Sequence, residues 1–340
     1  MAVNVISGSA GTAGAIPPAI QAFYDRNLLE RAVPADIHGR FGQMRPISTR
    51  SGNQIKFRRY ESLTPILTPT VEGVTPTGQL ITVTEFLSSL TQLIGFVTIS
   101  DLVDLTNQDA VLTEVGMVLG EQAGTSIDKL RRDVLVAGTN VIFTNGSTRA
   151  GLNTVLGSVA LRTAIRFLGR QNAKYLRNFI GASEKISTQA VRSAYVGLVH
   201  PDTEAQLESI VNYIPVTEYS DAMQAEDDEI GSFRNIRFFR STNCKVFLDA
   251  GAAVGTDGMT SNGGVNNDVY ATLIIGANAY GVSPLSGNAL VNIIKPRGSG
   301  GTSDPADQRA TSAWKAITTT TILNQFFMTR IEHTNLNVLT

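Results

Sequence analysis

Residues 54–60 read QIKFRRY, residues 63–78 read LTPILTPTVEGVTPTG and residues 79–100 read QLITVTEFLSSLTQLIGFVTIS. The first and last stretches are typical of β-strands, because apolar residues alternate or β-branched and aromatic residues are enriched. The middle stretch holds three prolines, which lack the N–H that a β-ladder requires. The pattern therefore predicts a long hairpin with an extended tip. Such a hairpin has no core of its own, so we expect it to lie on another surface.

A long amphipathic helix is predicted directly after the hairpin, over residues 107–136. An apolar stripe runs through this segment at helical spacing. Thr106 and Asp109 resemble a capping box with aspartate in place of glutamate, and Gly138 suits the end of the helix. At 1.5 Å per residue the helix would be about 45 Å long.

A second amphipathic helix is predicted over residues 159–177, with a basic stripe on one side. The stripe consists of Arg162, Arg166, Arg170 and Lys174. Like charges four residues apart destabilise a helix by about 0.2–0.5 kcal/mol per pair, which favours an anionic partner. An acidic patch on another copy of the chain, nucleic-acid phosphate and plain solvent all stay open as the surroundings of this stripe. No aromatic residues interleave with the basic ones, which argues against sequence-specific reading of bases.

The N-terminal residues, 1–52, have the pattern of an arm rather than a domain. The first nineteen are mostly small, and a short amphipathic segment containing Phe23 and Leu28 follows them. A helix of this length cannot bury its apolar face alone. After residue 177 the chain alternates short strand-like and helical segments without an internal repeat, which predicts an α+β fold.

Charge is scarce in this sequence but strongly segregated. Charged residues make up 17% of the 340 residues, below the usual quarter for soluble domains, and the net charge is −1. Residues 131–200 hold ten basic and two acidic side chains, whereas residues 201–270 hold four basic and twelve acidic ones. Opposite blocks of this kind suit copies that contact each other in a fixed register. Pairing of the blocks within one subunit is the alternative, and the sequence does not decide between them.

The sequence offers little support for catalysis, a cofactor or a metal. His38, His200 and His333 lack partners at metal-ligand spacing. Cys244 is the single cysteine, which indicates a reducing compartment and a buried, inert thiol. No run of eighteen uncharged apolar residues exists, so we expect no membrane span.

Two acidic groups are the remaining candidates for chemistry. The cluster at residues 226–229, EDDE, lacks the ligand spacing and glycine of a calcium-binding loop, so a solvated acidic loop is favoured over a cation site. Asp101 and Asp104 lie close together in sequence, which is all that supports a carboxylate-dependent hydrolase as an alternative function. The sequence thus predicts that the protein is not an enzyme and uses no cofactor.

Several stretches, in order along the chain, resemble one protein family. They are FYDRNLLER (23–31), HGRFGQ (38–43), EGVTPTG (72–78), ISDL (99–102), VHPD (199–202), GANAYGV (276–282), GSGGTSDP (298–305) and DQRAT (307–311). This ordered set resembles the major capsid proteins of tailed bacteriophages related to the coat protein of phage N-four.

The resemblance implies the capsid fold of tailed phages and herpesviruses, the Hong Kong ninety-seven type. That fold has an N-terminal arm, an extended loop, a peripheral domain built on a long spine helix, and an axial domain. The hairpin and long helix predicted above match the loop and the spine helix. The corresponding parts here are the arm (1–52), the extended loop (53–95), the peripheral domain (96–185 and 288–340, with the spine helix at about 107–136) and the axial domain (186–287).

The resemblance also implies a function and a set of partners. The chain would assemble through pentamers and hexamers into an icosahedral shell around double-stranded DNA, contacted without sequence specificity. A portal and a decoration protein are further partners of such shells, which form in the cytoplasm of the host bacterium and become part of the virion. The expected subunit contacts lie in the arm and extended loop, at Phe23, Leu28, Arg58, Arg59, Pro69, Glu72 and Pro76.

Two finer expectations and one rival complete the sequence-based hypothesis. Some shells of this fold crosslink through a lysine in the extended loop, but residues 63–79 contain none, so we expect a non-covalent shell. The chain lacks a long charged helical prefix, so we expect a separate scaffolding protein. An encapsulin-like cellular compartment, which shares the fold, is the alternative.

Overall fold

The computed structural model describes residues 36–102, 111–181, 188–220, 225–255, 259–300 and 304–336 of the 340-residue chain. Its α-helices are α1 (Ile37–Arg40), α2 (Val111–Val136), α3 (Ser158–Arg170) and α4 (Glu204–Glu208). Its strands are β1 (Gln43–Met44), β2 (Gln54–Tyr60), β3 (Val83–Ser89), β4 (Thr91–Ser100), β5 (Val141–Phe143), β6 (Tyr195–Val199), β7 (Tyr213–Pro215), β8 (Glu229–Phe233), β9 (Ile236–Arg240), β10 (Val246–Phe247), β11 (Val269–Ile275), β12 (Tyr280–Pro284), β13 (Leu290–Lys295), β14 (Arg309–Ile322) and β15 (Met328–His333).

A five-stranded sheet is built around β14. Its strand order is β1-β12-β14-β13, and β4 also pairs with β14. The antiparallel pairing of β4 with β14 runs from Thr91↔Thr318 to Ser100↔Arg309. The sheet thus joins a segment near residue 100 to one near residue 310, far apart along the chain.

The long helix α2 packs on one face of this sheet. Successive side chains of a strand point to opposite faces, so Trp314 and Ala316 share the face that meets the helix. They form a buried cluster with Leu119, Ala123 and Ile127 of α2. Glycine is required where β4 crosses beneath the indole, because a Cβ at Gly95 would lie 2.5 Å from a Trp314 ring atom.

The second sheet has eight strands and contains most of the core. Its order is β5-β15-β11-β6-β9-β8-β7, with β10 paired to β11. Every residue of β6 and β11 is buried, as expected for central strands covered on both faces. Helix α3 covers one face through Leu161, Ala164 and Leu168. The two β-sheets and the helices that cover them confirm the predicted α+β class.

Helix α3 is shorter than the sequence pattern indicated. The prediction of a helix over 159–177 is wrong at its C-terminal end, since α3 ends at Arg170. Asn172 adopts a left-handed φ of 54°, and the N–H of Ala173 donates to the Leu168 carbonyl at 3.1 Å. This is a Schellman-type termination, in which asparagine replaces the more usual glycine.

The predicted strands and the spine helix largely agree with the structure. The strand predicted at 269–275 has the bounds expected, and α2 ends at the predicted Val136. Residues 107–110 of the predicted spine helix lie outside the described residues. Short strands such as β1, β7 and β12 were missed, because two to five residues carry too little alternation to be recognised. Within the residues that the structure describes, no helix combines the length and apolarity needed to cross a bilayer.

Candidate subunit-contact surfaces

The hairpin formed by β2 and β3 ends in a long exposed tip, residues 62–82. The two seven-residue strands pair along their whole length, and every residue of the tip is exposed. Large apolar side chains share this exposure, with Leu67 at 89% and Leu80 at 92%. A contiguous exposed apolar surface of this kind marks a site of interaction with another molecule.

The base of the hairpin is attached to the five-stranded sheet. Phe57 of β2 packs against Gly281 of β12 so closely that a Cβ on the glycine would lie 2.8 Å from the ring. On the other strand, the hydroxyls of Ser88 and Thr319 are 2.6 Å apart. The base is therefore held by the subunit, whereas the tip extends away from it.

A hydrogen-bonded group of side chains lies at the end of the β2–β3 ladder, where the tip begins. The guanidinium of Arg59 donates to the Glu61 carboxylate at 2.7 Å and to the Leu323 carbonyl at 3.3 Å. Glu61 also accepts a hydrogen bond from Thr84 at 2.6 Å. The Thr84 bond, followed by the Arg59 bond, holds the pKa of Glu61 below its usual value.

A second group lies one residue earlier in the ladder. Glu85 stands directly across the strands from Arg58 and forms ion pairs with Lys56 at 2.7 Å and with Arg58 at 3.1 Å. The hydrogen bond from Lys56 is the main cause of the lowered pKa of Glu85. Sequence reasoning missed the roles of Glu61 and Glu85, although the hairpin register would have placed Glu85 opposite Arg58.

The predicted contact residues fall into three groups. Those on the tip and at the base of the hairpin do not contact each other within the subunit, because the tip is exposed along its whole length. The two contact residues predicted in the arm lie outside the described residues. The groups are Pro69, Glu72 and Pro76 on the tip, Arg58 and Arg59 at the base, and Phe23 and Leu28 in the arm.

Ion pairs and hydrogen bonds fix the first described residues to the rest of the subunit. Arg131 of α2 forms an ion pair with Asp36, and burial lowers the pKa of Arg131 to about 10. The ring Nδ1 of His38 lies 2.9 Å from the Asp128 carboxylate, and both side chains are fully buried. The hydroxyl of Tyr280 donates to the His38 carbonyl at 2.6 Å. These contacts lock the chain from residue 36 onward to the spine helix and the five-stranded sheet.

The acidic cluster at 226–229 is not the solvated loop that the sequence indicated. The side chain of Glu229 is completely buried and pairs with Arg237, while Glu226 pairs with Arg40 and Arg177. The two aspartates between them are exposed. The prediction was wrong because Arg40 and Arg177 come from distant parts of the chain and Arg237 reaches Glu229 only when β8 and β9 pair.

The basic stripe lies on the outer side of α3. Arg162, Arg166 and Arg170 are exposed, and none forms an ion pair with a residue that the structure describes. Lys174 was predicted to extend the stripe along the same helix, but it follows the helix end and is exposed in the loop beyond. The stripe on the helix therefore comprises three arginines rather than four basic residues.

The described part of the chain shows no arrangement suited to catalysis or metal binding. It contains no group of three or more His, Cys, Asp or Glu side chains able to hold a metal ion. His333 is fully buried, which lowers its pKa to about 4, and burial raises the pKa of the Cys244 thiol. Asp101 accepts a hydrogen bond from the adjacent Leu102 N–H, and Asp104 lies outside the described residues.

Comparisons with known proteins agree on one class. The model of a family described as phage capsid protein matches residues 84–264. The capsid of Ralstonia phage GP4 is similar in structure, with a TM-score of 0.64 and 13% identity over 88% of each chain. The bacteriophage PhiM1 mature capsid gives a TM-score of 0.56 and 12% identity over 99% of this chain and 93% of that one.

A cellular compartment protein has a related fold. The holo-SrpI encapsulin complex from Synechococcus elongatus PCC 7942 gives a TM-score of 0.52 and 9% identity, over 97% of this chain and 94% of that one. No curated protein matches the sequence.

Proposed function

This chain belongs to the phage capsid protein family, and from that premise we propose that it is the major subunit of the icosahedral shell that encloses the double-stranded DNA of a tailed phage. Its fold is the Hong Kong ninety-seven type of phage capsids, and it is a structural protein of the virion rather than an enzyme. Identical copies form the pentamers and hexamers of the shell.

One observation carries the mechanism: a stretch of 21 consecutive residues, 62–82, is exposed in the isolated subunit and rich in apolar side chains. Burial of apolar surface contributes about 25 cal/mol per Å², so sister subunits that cover this tip gain stability on assembly. Each subunit contacts several neighbours, so modest contacts act together as a multivalent set. Closed symmetry then ends growth at a shell of finite size.

Each part of the subunit has a different role in the proposed shell. We assign residues 1–52 to an arm, 53–95 to the extended loop, 96–185 with 288–340 to the peripheral domain, and 186–287 to the axial domain. The pairing of β4, β13 and β14 beneath α2 supports the peripheral assignment, and the pairing of β6 to β9 supports the axial one, while β5 and β15 of the peripheral range complete the eight-stranded sheet. Phe23 and Leu28 of the arm complete the proposed contacts between neighbours, together with the hairpin.

Electron microscopy of purified native particles tests this proposal against the encapsulin-like alternative. A phage shell contains packaged DNA and has one vertex occupied by a portal, whereas a cellular compartment contains protein cargo. Particles filled with protein and lacking both DNA and a portal vertex would contradict the proposal. Loss of a measured hydrolytic activity on Asp101→Asn would instead revive the enzymatic alternative.

We expect the shell to be non-covalent. Residues 63–79 contain no lysine, and Lys56 at the hairpin base is engaged with Glu85 at 2.7 Å. Mature particles dissolved in denaturant should therefore yield one species at the subunit mass of 36.4 kDa, by intact mass and on a denaturing gel. Covalent pentamers, hexamers or higher ladders would overturn this prediction.

The three exposed arginines of α3 form a surface for an anion, either packaged DNA phosphate or an acidic patch of a neighbouring subunit. Reversal of one charge, Arg166→Glu, should reduce DNA packaging or assembly yield several-fold, while the isolated subunit keeps its stability because the side chain is exposed. Packaged DNA per particle and particle yield are the two readouts. If both stay at the wild-type level, the stripe is merely solvated.

Other partners belong to the same proposal. A separate scaffolding protein would set the size of the shell, a portal would occupy one vertex, and a decoration protein could bind outside, with assembly in the host cytoplasm. Efficient assembly of correctly sized shells by this chain expressed alone would contradict the scaffolding requirement.

A further inference from the structure

Strand β4 is an edge strand of the five-stranded sheet, with one side unpaired. Among the residues that the structure describes, it pairs only with β14. The N–H of Asp101 donates to the Gln308 carbonyl at 2.9 Å, which continues the register Ser100↔Arg309. Hydrogen-bonded pairs alternate along an antiparallel ladder, so the odd-numbered residues of β4 bond to β14. The N–H and C=O groups of the even-numbered residues therefore point to the open side.

The open edge of β4 lacks the features that protect sheet edges. Its sequence, TQLIGFVTIS, contains no charged residue and no proline. Natural sheets protect open edges with charges, especially lysine, with proline or with bulges, because an unprotected edge pairs readily with another strand. The opposite edge of this sheet has such protection, since β13 ends at Lys295 and Pro296 follows it. The composition of β4 is therefore that of a strand with a pairing partner on its open side.

The outer face of β4 is apolar as well as uncharged. Leu93 and Val97 lie on the face that packs against α2, and the alternation of a strand places Ile94 and Phe96 on the opposite face. Ile94 is 58% exposed and Phe96 is 56% exposed. Pairs of aromatic and β-branched side chains that meet across two strands stabilise a sheet. A strand added at this edge would gain such pairs if it presented the same residue types.

We propose that the open edge of β4 pairs with the β4 edge of a second copy of this chain, antiparallel and about a two-fold axis at Gly95. In this register Ile94 of each copy lies opposite Phe96 of the other, and Gln92 lies opposite Thr98. The groups that point to the open side in one copy then face those of the other, which allows about eight backbone hydrogen bonds. This inference rests on the proposed function and specifies one contact between copies.

Charge favours a second copy of β4 as the occupant. Two uncharged strands meet without repulsion. Lys315 of β14 lies beside Ile94 on the outer face, but the Lys315 residues of the two copies would be three strand spacings apart, about 14 Å. That separation exceeds the Debye length of about 8 Å at physiological ionic strength. It also leaves room for both α2 helices, each about 10–12 Å wide, because α2 packs mainly over β14.

The proposed contact has a different symmetry from the contacts within a ring. Each copy contributes the same edge, so the contact is isologous and is complete with two copies. A ring of five or six copies needs contacts between two different patches. The β4 pair therefore joins a subunit of one ring to a subunit of a neighbouring ring.

Disulfide trapping between two variants tests the register. Particles assembled from a mixture of Ile94→Cys and Phe96→Cys subunits should give covalent dimers on oxidation. Opposite residues of a hydrogen-bonded pair have Cα atoms about 5.5 Å apart, a distance that a disulfide spans. No larger species should form, because each subunit carries one engineered cysteine and the native Cys244 is buried.

A matched control mixes Ile293→Cys with Phe96→Cys subunits. Ile293 is exposed and lies on the same face of the sheet as Phe96, since both stand beside Ala313. It belongs to the other edge strand, β13, so the control mixture should stay monomeric on a non-reducing gel.

Charge substitution gives a second readout. Phe96→Lys adds the protection that natural edges use, so it should lower the yield of closed particles roughly tenfold. In Phe96→Lys with Ile94→Glu, each lysine faces the glutamate of the other copy, and most of the yield should return. Ile293→Lys is the matched control and should assemble like the wild type. Denaturant unfolding of the purified subunits verifies that each variant folds.

The possible results separate this contact from the proposed function. Particles whose mixed variants give no more covalent dimer than the control would overturn the β4 contact alone, as would Phe96→Lys subunits that assemble as well as Ile293→Lys subunits. If one set of variants fails to fold, the other set decides. A wild-type chain that forms no particles under any condition would overturn the proposed function itself.

Discussion

Deletion of residues 63–78 should abolish the formation of closed shells while leaving the subunit folded. The deleted residues are exposed along their whole length, so they contribute almost nothing to the core. The ladder beneath them remains intact, since the N–H of Glu61 donates to the Thr82 carbonyl at 3.0 Å and can begin a shorter turn. We expect the free energy of unfolding of the subunit to change by no more than about 0.5 kcal/mol, as for other changes at exposed positions.

The measurement has two parts. Denaturant unfolding of the purified subunit reports its stability, and sedimentation with electron microscopy reports the fraction present as closed shells, which should fall at least a hundredfold. A second variant keeps the length of the tip but replaces four apolar side chains with serine. That variant shows whether assembly depends on the apolar side chains of the tip or only on its length. The replaced residues are Ile66, Leu67, Leu80 and Ile81. A deletion variant that forms normal shells would reject the role of the tip.

The hairpin and its exposed tip could be predicted from the sequence because the signals that indicate them are local. Strand alternation on either side of three prolines specifies a hairpin with an irregular tip, whatever the rest of the chain does. The spine helix and the central strands were predictable for the same reason, since their apolar periodicity extends over many residues. The ordered family motifs then connected these pieces to a capsid fold.

The predictions that failed depended on how strands align and on the conformation of single residues. Glu229 was interpreted as solvated because its partner Arg237 lies on the next strand and forms its pair only after β8 and β9 align. The predicted C-terminal end of α3 was too late in the chain. Asn172 ends the helix by adopting a left-handed backbone conformation, and an asparagine in a sequence does not by itself indicate that conformation.

The body of the subunit and the tip of the hairpin are held in shape by different interactions. The charges of the body are paired across the fold, as in the Asp36–Arg131 and Arg149–Glu332 pairs, and its central strands are buried. The tip forms no such ion pairs with the residues that the structure describes, and prolines and a turn determine its shape. In the proposed rings of five and six copies, the body keeps the local geometry of its contacts while the tip of the hairpin adapts to each ring.

The buried ion pair between Arg237 and Glu229 should be the most sensitive single position in the eight-stranded sheet. Arg237 donates to both carboxylate oxygens, at 2.6 and 2.5 Å, and the two side chains are 4% and 0% exposed. Tyr219 adds a hydrogen bond to Glu229 at 2.8 Å. Burial first and Glu229 second raise the pKa of this tyrosine, so it remains a hydrogen-bond donor at all physiological pH values.

Removal of the arginine should therefore be strongly destabilising. Arg237→Met leaves a carboxylate buried without its cation, and breaking a buried pair in this way lowers the free energy of unfolding by about 3–5 kcal/mol. The matched control is Arg240→Met on the same strand. Arg240 is 53% exposed and lies 3.5 Å from Glu204, so its loss should change stability by less than about 1 kcal/mol.

A double variant distinguishes the loss of the attraction between Arg237 and Glu229 from the cost of leaving Glu229 buried without a cation. In Arg237→Met with Glu229→Leu, both charges are replaced by apolar groups of similar size, and such replacements of buried pairs are often neutral. We expect it to recover most of the stability lost in Arg237→Met, as measured by the denaturant midpoint of the purified subunit. If Arg237→Met and Arg240→Met prove equally mild, the pair is accessible to water, and the eight-stranded sheet does not depend on it for its stability.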